Sequence, residues 1–249
     1  MYSLHNKVAV IIGAERALGK AIAERYAALG ASIVLSYTSD SEAADEVKSN
    51  ILAMGAKVIA LQGDTSNVDK IQYLFEKAQK TFGRIDIVVV SMGFEMEEST
   101  VGQITKKQFE QLSLVNAKRA RSIMKRATQY VENKGRIIYV HADIGLFSVM
   151  GSSGSECSIL TPKLMVERLA KETGHRGITV NSIIASAVNH SGIFADKDSY
   201  PQLRKSLIEA CPMGRLSEVE DVANVAEFFA TDLSSFVSGE QLKVSGGAT

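Results

Sequence analysis

Short apolar runs alternate with longer amphipathic segments along the whole chain, and this alternation restricts the possible folds more than any other feature. Seven runs predict strands, at residues 7–12, 32–37, 57–62, 85–90, 135–141, 178–184 and 241–244. The segments between them predict helices, at residues 17–29, 41–54, 67–82, 105–131, 156–174 and 218–231. Strands that alternate with helices form right-handed βαβ units. We therefore expect an α/β fold of the Rossmann type, a doubly wound parallel sheet of about seven strands with helices on both faces.

Length and composition favour one cytoplasmic domain over residues 1–249. Lys+Arg and Asp+Glu both number 28, so the balanced charge predicts neither a nucleic-acid nor a membrane partner. The apolar runs are too short to cross a bilayer, and the first residues do not resemble a secretion signal. Cys157 and Cys211 suggest reduced thiols rather than a disulfide framework. The four histidines have no ligand-like spacing, so we expect no metal site.

The least regular segment covers residues 186–214 and contains Pro201 and Pro212, two of the three prolines. Long irregular segments in compact domains often cover ligand sites. We therefore expect residues 186–214 to form the lid of any ligand site.

The first predicted strand leads directly into a glycine loop, residues 12–19, which opens the first helix. Such a turn directs backbone N–H groups and the positive end of a helix toward a pyrophosphate. The loop predicts a dinucleotide site that includes Gly13, Arg16, Leu18 and Gly19.

Further motifs follow in chain order: Asp64-Thr65, Phe82-Gly83-Arg84-Ile85-Asp86-Ile87, Asn116, Gly135-Arg136-Ile137-Ile138, Arg176-Gly177-Ile178-Thr179-Val180-Asn181, Met213-Gly214-Arg215-Leu216, and Ser238-Gly239 to Gly246-Gly247. With the glycine loop, they resemble the short-chain dehydrogenase/reductase family over essentially the whole chain, closest to its 3-oxoacyl-acyl-carrier-protein reductase-like and naphthol-reductase-like members. The resemblance implies that Asp64 and Thr65 lie at the adenine and that Gly93 lies behind the cofactor.

The family's catalytic positions correspond to Asn116, Ala142, Ser155 and Ile159 in this chain. The resemblance implies a serine at 142 that holds the carbonyl. It also implies a tyrosine at 155 that transfers the proton, and a lysine at 159 that lowers the pKa of that tyrosine. Only the asparagine is kept, so no catalytic set is intact. A serine without an adjacent base is too weak an acid to replace the phenol, which predicts that this chain alone does not reduce carbonyl groups.

The cofactor motif is also changed. Ile12 replaces a threonine, Ala17 replaces the middle glycine, and Glu15 adds a negative charge beside the phosphate site. Against this, Arg16 would pair with a 2′-phosphate, and the second strand ends at Tyr37 without an acidic residue. These two features favour NADP(H) over NAD(H) if a dinucleotide binds.

Our first functional hypothesis is a degenerate subunit of a hetero-oligomeric NAD(P)-dependent hydroxyacyl or ketoacyl dehydrogenase. An intact family member would be its partner, and the assembly would act on a small-molecule or acyl-thioester substrate, including acyl-CoA. The resemblance implies homo- or hetero-oligomers built through helices 105–131 and 156–174 and through the C-terminal segment. Those helices keep apolar residues at Phe109, Leu112, Ile123, Met124, Leu164, Met165 and Leu169.

Two alternatives remain open at the level of sequence. The chain would be an active NADPH-dependent reductase if His141, for example paired with Asp143, or an acid supplied by the substrate replaced the missing proton donor. It would otherwise be a dinucleotide sensor or scaffold without turnover. The basic run at residues 118–126 is interpreted as a helix face that meets solvent or a partner.

Overall fold

The computed structural model describes residues 3–92, 102–142, 160–196 and 198–248, with the backbone alone for residues 112–116, 142 and 160–163. The seven strands are β1 Val8–Ile12, β2 Ser32–Tyr37, β3 Val58–Gln62, β4 Ile87–Val90, β5 Arg136–Ala142, β6 Thr179–Ala185 and β7 Gln241–Val244. The helices are α1 Ala17–Ala28, α2 Ser41–Ala53, α3 Val68–Phe82, α4 Lys106–Tyr130, α5 Leu160–Thr173, α6 Pro201–Ala210 and α7 Val219–Ala230.

All seven strands pair in parallel in one sheet of order β3-β2-β1-β4-β5-β6-β7. The order reverses between β1 and β4, which makes the carboxyl end of β1 the topological switch point. Every residue of β1 and of β4 is buried, as expected for central parallel strands covered on both faces. The predicted Rossmann-type fold is therefore confirmed.

Alternation along β1 separates two cores. Ala9 and Ile11 face a cluster that includes residues of α1, α2 and α7, whereas Val10 and Ile12 face a cluster that includes residues of α3, α4 and α5. Successive side chains of a strand point to opposite faces, so an uninterrupted apolar strand is buried by helices on both sides.

The predicted element boundaries agree with the structure to within two residues wherever both ends are described. The main omission is helix α6, which lies inside the segment that we expected to be irregular. Pro201 occupies the first turn of α6, where its fixed φ and missing N–H are tolerated. Leu203 and Leu207 of this helix pack against a buried cluster formed by Ala187, Phe194 and Leu216. The role of residues 186–214 as a lid stays a prediction.

No helix in the described part of the chain combines the length and the apolar character needed to span a membrane.

The junction of β1 and α1 depends on two glycines. Gly13 has φ +82°, and a Cβ placed there would lie 2.3 Å from the backbone oxygen of Ser91. A Cβ on Gly19 would lie 2.2 Å from the backbone oxygen of Gly13. Both glycines are therefore required by the close approach of backbone to backbone, independently of any ligand.

We expect Gly19→Ala to lower the free energy of unfolding by about 3 kcal/mol, because the added methyl group must displace backbone rather than a flexible side chain. The matched control is Gly174→Ala, where an added Cβ meets nothing within 4 Å and the change should stay within about 0.5 kcal/mol. Urea unfolding of the three proteins measures both values. Equal stability of the two variants would contradict this description of the junction.

Asp86 ties the start of β1 to the start of β4. Its buried carboxylate accepts a hydrogen bond from the backbone N–H of Val8 at 2.9 Å. The guanidinium of Arg84 donates two hydrogen bonds to the same carboxylate, at 2.9 and 2.6 Å. The Nζ of Lys7 lies 3.5 Å from Oδ1 of Asp86. A buried carboxylate with several charge-assisted partners is costly to remove, because its partners stay behind unpaired.

Accordingly, Asp86→Ala should lower the free energy of unfolding by about 3 kcal/mol. Asp45→Ala, on the exposed surface of α2, is the control for loss of an aspartate and should change stability by less than about 0.5 kcal/mol. Both are measured by chemical denaturation. An Asp86 variant as stable as the control would show that this cluster contributes little.

Candidate functional site

A cavity of about 280 Å³ lies at the carboxyl edge of the sheet, beside the switch point. Its walls come from the glycine loop, the end of β2, Thr65 after β3, Met92 after β4 and Arg119 of α4. Ligands of open α/β sheets bind in the crevice at this edge. The fold thus brings Gly13, Arg16 and Thr65, three of the predicted cofactor residues, into one cavity.

Helix α1 begins beside this cavity without a capping side chain. Arg16 is its N-cap residue and makes no side-chain hydrogen bond to the helix, and the first turn contains no acidic residue. No side chain in the described segments therefore accepts a hydrogen bond from the N–H groups at the helix start, including those of Leu18 and Gly19. Such N–H groups fit a pyrophosphate. Ala17 adds a methyl group to this helix start, which reduces the space but leaves the N–H groups in place.

Glu15 directs its carboxylate to the end of β2. Its Oε1 accepts a hydrogen bond from the backbone N–H of Thr38 at 3.2 Å. Its Oε2 is buried and has no hydrogen-bond partner among the described residues. The carbonyl oxygen of Thr38 in turn accepts a hydrogen bond from the side chain of Gln62. The sequence indicated a negative charge beside the phosphate site, but not that this charge reaches the second strand.

Arg119 contacts the same edge from α4. Its Nε and Nη2 donate hydrogen bonds to Oγ1 of the buried Thr65, at 3.1 and 2.9 Å. Our sequence interpretation placed Arg119 in a helix face that is partly solvated or directed at a partner, and it did not identify the contact with Thr65. The available signal was its spacing of three residues from Asn116, because residues at i and i+3 share a helix face.

Asp64 lies next to Thr65 but not in the cavity wall. Its carboxylate accepts hydrogen bonds from the hydroxyl of Ser66 at 2.6 Å and from the backbone N–H of Ser66 at 2.8 Å. The Ser66 hydrogen bonds, together with the charge of Arg119, lower the pKa of Asp64 below its usual value. Both carboxylate oxygens are thus already engaged in the turn before α3, so a contact between Asp64 and adenine stays a prediction.

The catalytic positions are described only in part. Ala142 is the last residue of β5, and its backbone is in register with Ala185 of β6. The backbone of Asn116 belongs to α4, whereas Ser155, Ile159 and Gly93 lie outside the described residues. The assignment of Ala142, Ser155 and Ile159 to the family's catalytic positions stays a prediction.

Two Tyr-x-x-x-Lys spacings do occur elsewhere in the chain. Tyr73 and Lys77 lie on the exposed face of α3, where Tyr73 is half exposed and neither residue lines the cavity. Tyr130 ends α4, and Lys134 lies in the loop that enters β5, at the amino edge of the sheet. The cavity lies at the carboxyl edge, so neither pair substitutes for the family's pair.

Tyr139 and His141 are the aromatic residues of β5. Tyr139 is buried, and this burial raises its pKa to about 12. Its ring lies 5.4 Å from the ring of His141. Tyr139 is therefore a protonated core residue rather than an acid of useful strength. Asp143, the expected partner of His141, lies outside the described residues, so their pairing stays a prediction. Among the described residues, no three His, Cys, Asp or Glu side chains are grouped to hold a metal ion.

The family model and the individual proteins that this chain resembles are all oxidoreductases or reductase-like proteins. The family described as enoyl-(acyl carrier protein) reductase matches residues 13–249. A hydroxynaphthalene reductase-like protein, Arp2 of Metarhizium majus, is 29% identical over 99% of this chain and 96% of its own length. An uncharacterized oxidoreductase of Methylorubrum extorquens is 30% identical over 99% of both chains.

A solved structure supports the same assignment. The short-chain dehydrogenase of Burkholderia cenocepacia, solved in complex with NADP, superposes with a TM-score of 0.88 at 25% identity and covers 98% of both chains. The seven-stranded parallel sheet of this chain agrees with this likeness. The chain therefore belongs to the short-chain dehydrogenase/reductase family.

Proposed function

We propose that this chain is a non-reducing subunit of a hetero-oligomeric NAD(P)-dependent hydroxyacyl or ketoacyl dehydrogenase. Its partner would be a family member with an intact tyrosine–lysine pair, and the assembly would act on a small-molecule or acyl-thioester substrate. The observation that carries this proposal is the set of residues at the proton-transfer positions, Ala142, Ser155 and Ile159.

Carbonyl reduction needs a hydride and a proton, and the proton must reach the oxygen as negative charge develops there. In an intact member a tyrosine supplies this proton, and a lysine cation lowers the tyrosine pKa. Ser155 has no lysine at position 159 to assist it, because Ile159 carries neither charge nor donor. Tyr139 holds its proton too tightly, at a pKa of about 12, to act instead.

Exposed apolar side chains on α4 and α5 support an oligomeric role. Leu164 of α5 is 59% exposed, and Phe109 of α4 is 38% exposed. Large exposed apolar residues are typical of surfaces that a partner covers. Ile123 and Met124, which the sequence also suggested for this surface, are fully buried in the core and cannot face a partner.

A second group of exposed apolar residues surrounds the C-terminal strand. Phe236 is fully exposed, and Leu233 and Leu242 are 50% and 39% exposed. Leu242 belongs to β7, which forms one edge of the sheet. This C-terminal surface is the second contact region that we expect in the assembly. Binding to a partner raises the apparent stability of a fold, which gives a reason for keeping the fold without the catalytic residues.

We further infer that the chain keeps dinucleotide binding at the cavity. The uncapped start of α1, the two glycines of the junction and the hydroxyl-lined end of β2 fit a pyrophosphate and a ribose. The bound group would supply hydride chemistry only beside an intact proton donor. Here Gly13, Leu18 and Gly19 would hold its phosphates, and Thr65 would border its adenine.

Affinity purification of the tagged chain from its native host tests the subunit role. We expect it to elute in stoichiometric association with a second short-chain family member whose sequence contains the aligned Tyr-x-x-x-Lys pair. Mass spectrometry of the eluate identifies that member. A chain that elutes without any intact family member would contradict the proposal.

Leu164→Glu should weaken this association by about tenfold or more, because a charge replaces an apolar side chain at the contact. Leu52→Glu is the matched control, since Leu52 is 53% exposed on α2, on the opposite side of the sheet. The fraction of partner retained at equal bait concentration is the measurement. If both variants retain the partner equally, α5 does not form the interface.

A further inference from the structure

We propose that Glu15 makes this cavity select NAD(H) against NADP(H), which reverses the preference expected from Arg16. The proposal rests on the dinucleotide binding inferred above and assigns a specificity-determining residue to it. The juxtaposition that carries it is the Glu15 carboxylate held against the end of β2, inside the cavity at the switch point.

The Glu15 carboxylate is fixed in position by the backbone. The backbone N–H of Thr38 donates a hydrogen bond to Oε1 of Glu15 at 3.2 Å. The side-chain amide of Gln62, at the end of β3, donates a hydrogen bond to the carbonyl oxygen of Thr38 at 3.2 Å. Two strand ends thus determine where the carboxylate lies. A rigidly held group discriminates between ligands more sharply than a mobile one, because it cannot turn away from an unfavourable ligand.

The second oxygen of this carboxylate is suited to a hydroxyl group. Within the part of the chain that the structure describes, Oε2 is buried and accepts no hydrogen bond. A buried acceptor without a donor is costly, and a ligand hydroxyl would remove that cost. In dinucleotide folds an acidic side chain at the end of the second strand accepts hydrogen bonds from the adenosine ribose. In this chain β2 ends in Ser36-Tyr37 without an acid, and the glycine loop supplies the carboxylate from the other side.

A 2′-phosphate at the same position would meet this carboxylate at close range. Like charges in a partly enclosed site repel strongly, and the carboxylate cannot move without giving up its hydrogen bond to Thr38.

Arg16 and Arg119 also line the cavity, and their positive charges would attract a 2′-phosphate, but neither cancels the repulsion by Glu15. Nε and Nη2 of Arg119 already donate hydrogen bonds to Oγ1 of Thr65, which follows β3. Arg16 is exposed at the start of α1, and within the described residues its side chain has no hydrogen bond or ion pair. An exposed, unrestrained arginine gains little from a phosphate in high dielectric. The fixed carboxylate therefore determines the preference.

Titration calorimetry of the purified chain with NADH and with NADPH tests the proposal, with thermal unfolding as a second readout that needs no turnover. We expect NADH to bind at least about tenfold more tightly than NADPH. Glu15→Gln keeps the shape and the acceptor for Thr38 but removes the charge. It should strengthen NADPH binding by about tenfold and weaken NADH binding by several-fold, since the acceptor is no longer charged.

A control variant separates this effect from general electrostatics. Glu42→Gln removes one exposed negative charge from α2, outside the cavity wall, and should leave both affinities within about twofold. Thermal unfolding without ligand verifies that every variant is folded.

The outcomes also distinguish this proposal from the proposed function. Tighter binding of NADPH by the unmodified chain, or a NADH/NADPH ratio unchanged in Glu15→Gln, overturns the role of Glu15 and leaves dinucleotide binding standing. Binding of neither dinucleotide overturns both the selectivity and the retained cofactor site. The subunit role depends instead on the partner recovered from the host.

Discussion

The contact between the first strand and the first helix determines the remaining geometry of this molecule. Gly19 lies so close to the carbonyl of Gly13 that no side chain fits between them, and Gly13 approaches the end of β4 in the same way. This contact fixes the amino end of α1 at the switch point of the sheet. The uncapped N–H groups, the Glu15 carboxylate and the cavity all follow from it. The glycines are therefore needed for folding, and their presence alone is weak evidence for a bound cofactor.

The chemistry separates into a retained part and a lost part. The retained part is the edge of the sheet where a dinucleotide would lie. There Arg119 donates a hydrogen bond to Thr65. The backbone of Thr38 is hydrogen-bonded to both Glu15 and Gln62. In the proposed function the lost part is proton transfer, because Ala142, Ser155 and Ile159 would provide no acid of suitable strength. On that proposal, the chain keeps its fold and its outer apolar residues as a component of a larger assembly.

The sequence was sufficient for the sheet, because central parallel strands need uninterrupted apolar residues and the intervening helices need an apolar stripe. It was insufficient for α6, whose turn-forming Pro201 and weakly apolar surface resemble a loop. It also misassigned Ile123 and Met124, which look the same in sequence whether they face the core or a partner. Arg119 and Glu15 were ambiguous for another reason. Long charged side chains reach across elements, and only the folded chain shows that one meets Thr65 and the other meets Thr38.

The rate at which the isolated chain oxidises a reduced nicotinamide tests the central claim most directly. The purified chain, free of companions, is mixed with NADH or NADPH and a set of β-keto thioesters, and absorbance follows the cofactor. Without a proton donor the rate should equal that of the protein-free blank. A turnover number of about 1 s⁻¹ or more, within the usual range of enzymes, would contradict the account.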